Sequence, residues 1–130
     1  MPDFKRLTDL AKALKLTKQT GRSFHVAVVL RKRKPIAIGT NHFGKSNRIC
    51  QNYKPTRHHG ADYRACVHAE VSATSPFRRK SVRGLSLVSI RIDNHNRLAY
   101  AQPCPNCLLW LGKMGFDNIY YSTQEGYLKL

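Results

Sequence analysis

Three side chains that often bind metal ions stand in two short segments that lie far apart in the chain. His68 begins the segment His-Ala-Glu, and Cys104 and Cys107 lie in the run Pro-Cys-Pro-Asn-Cys. One imidazole and two thiolates can hold a zinc ion and leave its fourth position for water. A fold that forms this site has to bring the two segments together, which is the strongest constraint that the sequence places on the structure.

Glu70 follows the histidine by two residues and is a candidate proton carrier. It lies on a predicted short helix in which we expect Val67 and Val71 to be buried. A carboxylate that faces the metal can take a proton from bound water and pass it on. A single glutamate on a helix is usually exposed to solvent, but the position of Glu70 beside a metal ligand favours a catalytic role.

The two cysteines are predicted to begin a second helix. Their i, i+3 spacing places both sulfur atoms on one face of its first turn. The partial positive charge and free backbone N–H groups of that turn favour thiolate over thiol. Pro103 and Pro105 flank Cys104, and proline is common at the start of a helix.

Two other interpretations of these residues stay open. A structural zinc site needs a fourth ligand, and Cys66, His58 and His59 are candidates. A redox Cys-x-x-Cys would follow the first strand of a βαβ unit. Here the motif comes late in the chain and after a His-x-Glu segment, which favours catalytic zinc over both alternatives.

The length and composition indicate one intracellular domain that spans residues 1–130. The hydrophobic fraction is 42%, which is enough for a packed core. No apolar run approaches the roughly 18–20 residues that cross a bilayer, and the N-terminus lacks the pattern of a signal peptide. We therefore expect a cytoplasmic protein without membrane contact, in which the thiols of Cys50 and Cys66 stay reduced.

The chain is strongly basic. Lys and Arg number 23 against 7 for Asp and Glu, and the formal net charge is +16. Such an excess attracts polyanions, which indicates phosphate on a nucleotide or along a nucleic acid. A soluble surface without a specific partner is the alternative. The basic residues cluster in the segments 12–18, 31–34, 57–59 and 78–83.

Periodicity divides the chain into helices and strands around one long loop. Apolar residues at helical spacing predict an N-terminal helix through residues 4–14, and Val-rich or alternating runs predict strands. Residues 41–63 are polar and have no period, which predicts a loop. The order predicts a mixed sheet covered by helices. The predicted strands are 24–30, 36–39, 85–92, 98–100, 119–121 and 127–130. The later helices are 67–74 and one that starts at the Cys-x-x-Cys of residues 104–107 and ends at Gly115.

With its zinc motifs in this order, the chain resembles the superfamily of cytidine and deoxycytidylate deaminases. His-x-Glu followed by Pro-Cys-x-x-Cys is the signature of zinc deaminases, and these motifs carry most of the resemblance. The sequence departs from many members at 93–101, where it adds a turn before the cysteines. The matching stretches are 38–41, 67–70, 103–107 and 115–121.

The resemblance implies a single-domain, three-layer α/β/α cytidine-deaminase-like fold, in which helices flank a mixed five-stranded sheet. It implies that Zn²⁺ is held between two helix N-termini by His68, Cys104 and Cys107, and that Glu70 shuttles protons. The activity implied is hydrolytic deamination, in which zinc-activated water attacks a base and ammonia is released.

The resemblance also assigns three residues to the substrate. Asn41 would hold the sugar, the backbone around Ala69 would meet the base, and Pro103 would shape the floor of the pocket. For Asn41, a turn residue without contact to substrate is the alternative. Superfamily relatives often assemble through helices near the active site, so we also expect a homo-oligomer.

Three substrates fit these expectations. They are a free cytosine nucleoside or nucleotide, cytosine in single-stranded DNA or RNA, and adenosine in tRNA. We favour conversion of cytosine to uracil in the free nucleoside or nucleotide, because short stand-alone members act on it more often. The alternative outside catalysis is a basic nucleic-acid-binding zinc module, and Glu70 argues against it because binding alone needs no carboxylate there.

The long loop contains further candidate substrate contacts. Tyr53 and Tyr63 are candidates to stack on a base, as aromatic side chains do in proteins that bind single strands. His58, next to Arg57, is a candidate to contact phosphate or a second metal. Ordinary packing within the loop and simple solvation are the alternatives for these residues.

Overall fold

The fold is described by a computed structural model that covers residues 1–18, 24–43, 66–67, 69–77, 80–103 and 105–130. Three α-helices, one 3-10 helix (Ser75–Phe77) and eight strands lie in these residues. The helices are α1 (Phe4–Lys18), α2 (Ala69–Thr74) and α3 (Pro105–Met114). The strands are β1 (Phe24–Arg31), β2 (Lys34–Thr40), β3 (His42–Phe43), β4 (Cys66–Val67), β5 (Leu85–Ile92), β6 (Leu98–Ala99), β7 (Asn118–Thr123) and β8 (Gly126–Lys129).

Five strands form the main path of a mixed sheet in the order β2-β1-β5-β7-β8, and the short strand β6 adds a sixth beside β5. The β5–β7 pair is parallel and the other pairs are antiparallel. Helix α1 packs on one face of the sheet, and α2 and α3 pack on the other. This arrangement confirms the predicted three-layer α/β/α fold.

Strand β1 lies at the centre of the core and is buried on both faces. Val26, Val28 and Leu30 pack with the residues of α1, while Ala27 and Val29 pack with those of α2 and α3. Successive side chains of a strand point to opposite faces, so a strand between two helical layers needs apolar residues at almost every position. This requirement explains the Val-rich run that predicted the strand.

Helix α1 begins where the side chain of Asp3 can accept a hydrogen bond. Its Oδ1 lies 3.2 Å from the backbone N of Arg6, which satisfies one of the N–H groups left open at a helix start. Leu7 and Ala11 then recur at helical spacing and pack on the sheet. The predicted N-terminal helix is confirmed, and it continues to Lys18.

Aromatic rings hold α1 against the last strands. The Phe4 ring stacks on Tyr127 with centroids 4.4 Å apart, and its edge meets Tyr120 at 5.5 Å. The Tyr127 hydroxyl lies 2.7 Å from Oγ1 of Thr8. Burial raises the pKa of Tyr127, and the hydrogen bond with Thr8 acts in the opposite direction.

Gly39 lets β2 lie directly against α2. A Cβ atom at this position would stand 2.2 Å from the backbone N of Ala73 and 2.6 Å from the carbonyl oxygen of Ala69. Both distances are far below van der Waals contact. Only glycine therefore permits this approach of strand and helix.

The turn that follows β5 is closed by a carboxylate. Oδ1 of Asp93 accepts hydrogen bonds from the backbone N–H groups of His95 and Arg97, each at 2.9 Å. The bond from Arg97 is the main cause that lowers the pKa of Asp93. Nζ of Lys15 in α1 donates to the Asp93 carbonyl oxygen at 2.6 Å. The added turn of the sequence thus forms a hairpin whose return arm is β6, as predicted.

The start of α2 differs from the sequence prediction. Val67 was expected in this helix but lies in β4, where it pairs with His42, and Cys66 pairs with Phe43. The helix therefore begins at Ala69. Pairing between segments so distant in the chain leaves no local period, and for this reason sequence pattern assigned Val67 to the helix. None of the helices in the described ranges has the length and apolarity needed to cross a membrane.

Candidate active site

Glu70 is the second residue of α2, and it is fully buried. A buried carboxylate has to be compensated by hydrogen bonds or opposite charge. Oγ of Ser89 lies 2.9 Å from Oε1 of Glu70, and Nε2 of His25 lies 2.8 Å from the same oxygen. Strands β5 and β1 thus each contribute a polar side chain to the carboxylate.

The register of β1 and β5 explains why these two side chains meet. Ser89 pairs with Ala27, two residues along β1 from His25, and both point to the face covered by α2. Nε2 of His25 and Oγ of Ser89 lie 2.6 Å apart. The three polar atoms form a triangle beneath the start of α2.

Ser89 also holds the segment that leads to the cysteines. Its Oγ lies 2.9 Å from the carbonyl oxygen of Ala101, and the N–H of Ala101 donates to the Ser122 carbonyl at 3.0 Å. The backbone of Ala101 is therefore bonded on both sides. Pro103, predicted to shape the pocket floor, is buried two residues further on.

Asn41, predicted to hold the sugar, follows β2 and is bonded to the start of β1. Its Oδ1 accepts a hydrogen bond from the His25 backbone N–H at 3.1 Å, and its own N–H donates to the His25 carbonyl at 3.2 Å. Because an N–H group donates to the side chain, the atom that faces it has to be the oxygen. A ligand would then meet the donor nitrogen Nδ2 of Asn41.

Cys107 lies in the first turn of α3, as predicted, and its side chain is buried. It packs with Val71 of α2, and Trp110 packs against both. Nε1 of Trp110 donates to Oγ1 of Thr74 at 2.7 Å, which ties α3 to the end of α2. Val71, which follows Glu70 in the sequence, therefore packs with Cys107, one of the predicted zinc ligands.

The described residues include one of the three predicted zinc ligands, because His68 and Cys104 lie outside them. Within those ranges, no three His, Cys, Asp or Glu side chains converge on one point. The residue that is described fits zinc well. Cys107 offers a soft sulfur donor at the start of a helix, and in the sequence His68 directly precedes α2 and Cys104 directly precedes α3.

The other predicted substrate contacts divide into two groups. Ala69 is the first residue of α2 and is fully buried against the sheet and Gly39. Tyr53, Tyr63 and His58 lie outside the described residues, and their roles stay predictions.

Sequence analysis missed His25 and Ser89. Each is a polar residue within a strand whose neighbours are apolar, in the runs Phe-His-Val-Ala-Val and Val-Ser-Ile. A polar residue that interrupts an apolar run was the signal that could have indicated these two residues. On a strand it has two explanations, a side chain that faces solvent or a buried polar pair, and the sequence does not distinguish between them.

A basic cluster lies at the end of β1 and β5 that is farther from His25 and Ser89. The turn from Arg31 to Lys34 is exposed, and Arg31 pairs with Leu85, so the turn lies beside the exposed Arg83. Leu85 and Ser89 are four residues apart, which corresponds to about 13 Å along a strand. A ligand that reaches both regions has to extend at least that far.

Comparisons with known proteins point to one group of enzymes. The family described as "Cytidine and deoxycytidylate deaminase zinc-binding region" matches residues 1–123. Cytidine deaminase from Mycobacterium leprae is similar in structure, with a TM-score of 0.57 over 98% of this chain and 92% of that chain. The two sequences are 18% identical, so this likeness concerns the fold. No curated protein sequence matches the chain significantly.

Proposed function

The chain belongs to the family of cytidine and deoxycytidylate deaminases, and on that premise we propose that it converts cytosine to uracil in a nucleoside or nucleotide. The reaction consumes one water. The C4–N bond of cytosine breaks, a C4–O bond forms, and ammonia leaves. The observation that carries the proposal is Glu70, a fully buried carboxylate at the start of α2 with hydrogen bonds from two strands.

Glu70 is the proton carrier of this reaction. Water has to lose a proton when it attacks C4, and the ring nitrogen and the departing amino group each have to gain one. A single carboxylate can serve all of these transfers in turn. Burial suits this role, because a carboxylate beyond the reach of bulk water exchanges its proton with the bound reactants.

His68, Cys104 and Cys107 are the residues that would hold zinc. Bound zinc supplies water whose pKa is near ~7, so that hydroxide is available at neutral pH. The thiolate of Cys107 is favoured by its place in the first turn of α3. Its contact with Val71 connects this ligand to the helix that carries Glu70.

The substrate would be oriented by groups around the start of α2. Nδ2 of Asn41 donates to a sugar hydroxyl, since Oδ1 already accepts from the His25 backbone. The backbone at Ala69 would meet the base, and Pro103 would shape the floor of the pocket. Ser89 keeps Pro103 in place by binding the Ala101 carbonyl.

The test of the proposed function is a substrate panel with measured ammonia release. Cytidine, deoxycytidine, their monophosphates, adenosine and single-stranded DNA and RNA are compared with protein that contains about one zinc per chain. We expect turnover with at least one free cytosine nucleoside or nucleotide. A zinc-loaded, folded protein that releases ammonia from none of these substrates would contradict the proposal.

The role of Glu70 is tested by Glu70→Gln, which keeps the shape of the side chain and removes its ability to carry protons. We expect kcat to fall by about 10²- to 10⁴-fold, with zinc content and fold retained. Glu125→Gln is the matched control, because Glu125 is exposed in the β7–β8 turn, and this variant should keep full activity. Full activity in Glu70→Gln refutes the proton-carrier role.

A second candidate substrate is cytosine or adenosine within single-stranded nucleic acid. The net charge of +16 and the exposed Arg31–Lys34 turn beside Arg83 favour it. Binding of a polymer should weaken steeply with salt, with a slope set by the number of phosphates neutralised.

The double variant Lys32→Ser/Arg33→Ser should reduce that salt slope by about one for each phosphate that the turn no longer neutralises. Lys5→Ser/Arg6→Ser on α1 changes the charge by the same amount and is the control. Equal slopes in the two variants and the unaltered protein would exclude the Arg31–Lys34 turn as a polymer-binding surface.

A further inference from the structure

We propose that His25 is the residue that positions the catalytic carboxylate, acting through its Nε2–H on Oε1 of Glu70. The proposal rests on the proposed function of Glu70 and adds to it a strand residue outside the zinc motifs. His25 comes from β1, which contains neither His-x-Glu nor Cys-x-x-Cys. Its Nε2 lies 2.8 Å from the carboxylate oxygen.

The Ser89 hydroxyl alone does not guarantee a hydrogen bond to Oε1 of Glu70. The Ser89 hydroxyl has one hydrogen and two acceptors at equal distance, Oε1 of Glu70 and the Ala101 carbonyl oxygen, each at 2.9 Å. It cannot serve both fully. Whenever its hydrogen points to Ala101, the donor that Ser89 gave to the carboxylate is lost. His25 supplies a hydrogen bond to Oε1 that does not depend on Ser89.

When Glu70 is ionised, the same geometry requires a hydrogen on Nε2 of His25. Oε1 of an ionised carboxylate only accepts hydrogen bonds, so the ring nitrogen 2.8 Å away has to carry a hydrogen. That hydrogen also faces Oγ of Ser89 at 2.6 Å, which can accept it while donating to Ala101. With hydrogen on Nε2, both contacts of the His25 ring, to Oε1 of Glu70 and to Oγ of Ser89, have a donor. Without this hydrogen, Nε2 and Oε1 would face each other as two acceptors.

The backbone of His25 is fixed by hydrogen bonds, in addition to the contact that its ring makes with Glu70. Its N–H and its carbonyl oxygen both bond to Asn41, at 3.1 and 3.2 Å. The ring itself is 23% exposed, whereas the Glu70 side chain is 1% exposed. His25 therefore joins the predicted sugar-binding residue to the proton carrier and fixes the distance between them through one residue of β1.

A positioning residue acts on the rate of the chemical step more than on substrate binding. Displacement of a reacting group by about 1 Å can lower a rate by about 10²-fold. We therefore expect His25→Leu, which keeps bulk and removes the donor, to lower kcat by about 10²-fold while KM changes less than about threefold. His25→Gln places an amide N–H near the position of Nε2 and should restore kcat to within about tenfold.

His95→Leu makes the same chemical change at an exposed histidine of the β5–β6 turn, and it should leave kcat unaltered. Equal kcat values in His25→Leu and the unaltered protein overturn the proposal, and so does a His25→Gln variant as slow as His25→Leu. If Glu70→Gln is inactive while His25→Leu is fully active, the proposal for His25 fails and the proposed function stands. If Glu70→Gln is fully active, the proton-carrier role of Glu70 fails, and the proposal for His25 fails with it.

A measurement on the resting protein tests the hydrogen bond without any measurement of activity. Long-range ¹⁵N–¹H spectra of the imidazole rings, with His25 assigned by its loss in His25→Gln, should show Nε2 protonated and a slowly exchanging ring N–H. Glu70→Gln should shift that signal. A His25 ring with hydrogen on Nδ1 alone, or a signal that Glu70→Gln does not move, contradicts the proposed bond.

Discussion

Strands β1 and β5 present an apolar core to both faces of the sheet, and a buried polar network to one of them. Toward α1, β1 and β5 show Val26, Val28 and Ile90, which form a continuous apolar layer. Toward α2 they show apolar residues such as Val29 and Leu87, together with His25 and Ser89, which bond to Glu70. The apolar face gains stability by burial alone, whereas the other face buries polar groups that are tolerable only as a complete network. Both sides of β1 and β5 thus contribute apolar burial, and the polar contacts to Glu70 lie only on the side that faces α2.

The largest effect on stability is expected from the apolar face. Ile90→Ala removes a fully buried side chain beneath α1 and should lower the free energy of unfolding by about 2–5 kcal/mol. Denaturant unfolding measures the loss. Because Ile90 points away from Glu70, kcat of the folded protein should stay within about twofold at low temperature. A large fall in kcat with little loss of stability would break the proposed division between the faces.

The next effect is expected from the polar face. Ser89→Ala removes one donor from Glu70 and from Ala101, and an unsatisfied buried acceptor costs about 1–3 kcal/mol. We also expect kcat to fall, since Pro103 and the carboxylate both depend on this hydroxyl. Ser86→Ala in the same strand is the control, because Ser86 points to the other face and is partly exposed. Indistinguishable stability and kcat in the two variants would contradict the network.

The smallest effect concerns the hydrogen bond between Thr8 and Tyr127, which joins α1 to β8. Tyr127→Phe should lower the free energy of unfolding by about 1 kcal/mol at neutral pH. Since burial raises the folded pKa of Tyr127 above 10.0, its contribution is complete below pH 10.0 and is lost as the pH rises through the folded value. The difference in the free energy of unfolding between the unaltered protein and Tyr127→Phe should therefore shrink as the pH rises above 10.0. Unfolding at a series of pH values measures it, and a constant difference would show that Tyr127 does not ionise differently in the folded state.

Local pattern predicted most of the elements that carry the site. The apolar spacing of α1, the Val-rich run of β1 and the alternation of β5 are each required by burial against a helix, so they are visible in the sequence. The start of α3 was predicted from Pro105 and the cysteine spacing, which are also local signals. The family match confirms the superfamily that the two motifs indicated.

Long-range pairing was not visible in the sequence. The ladder between β3 and β4 joins pairs of residues that are distant in the chain, and it moved the start of α2 from Val67 to Ala69. His25 and Ser89 were missed because a polar residue in a strand is as compatible with solvent as with a buried carboxylate. Only the position of α2 over the sheet distinguishes these two cases.

Gly39 fixes the position of α2, the helix that carries Glu70, relative to β2. Since a methyl group does not fit between this residue and Ala73, the strand and the helix touch through their main chains and share one surface without a compressible layer. A shift of the helix by a fraction of an ångström has to move the strand as well. The distance between α2, which carries Glu70, and β2 is therefore set by the contact of two backbones and not by the packing of side chains between them.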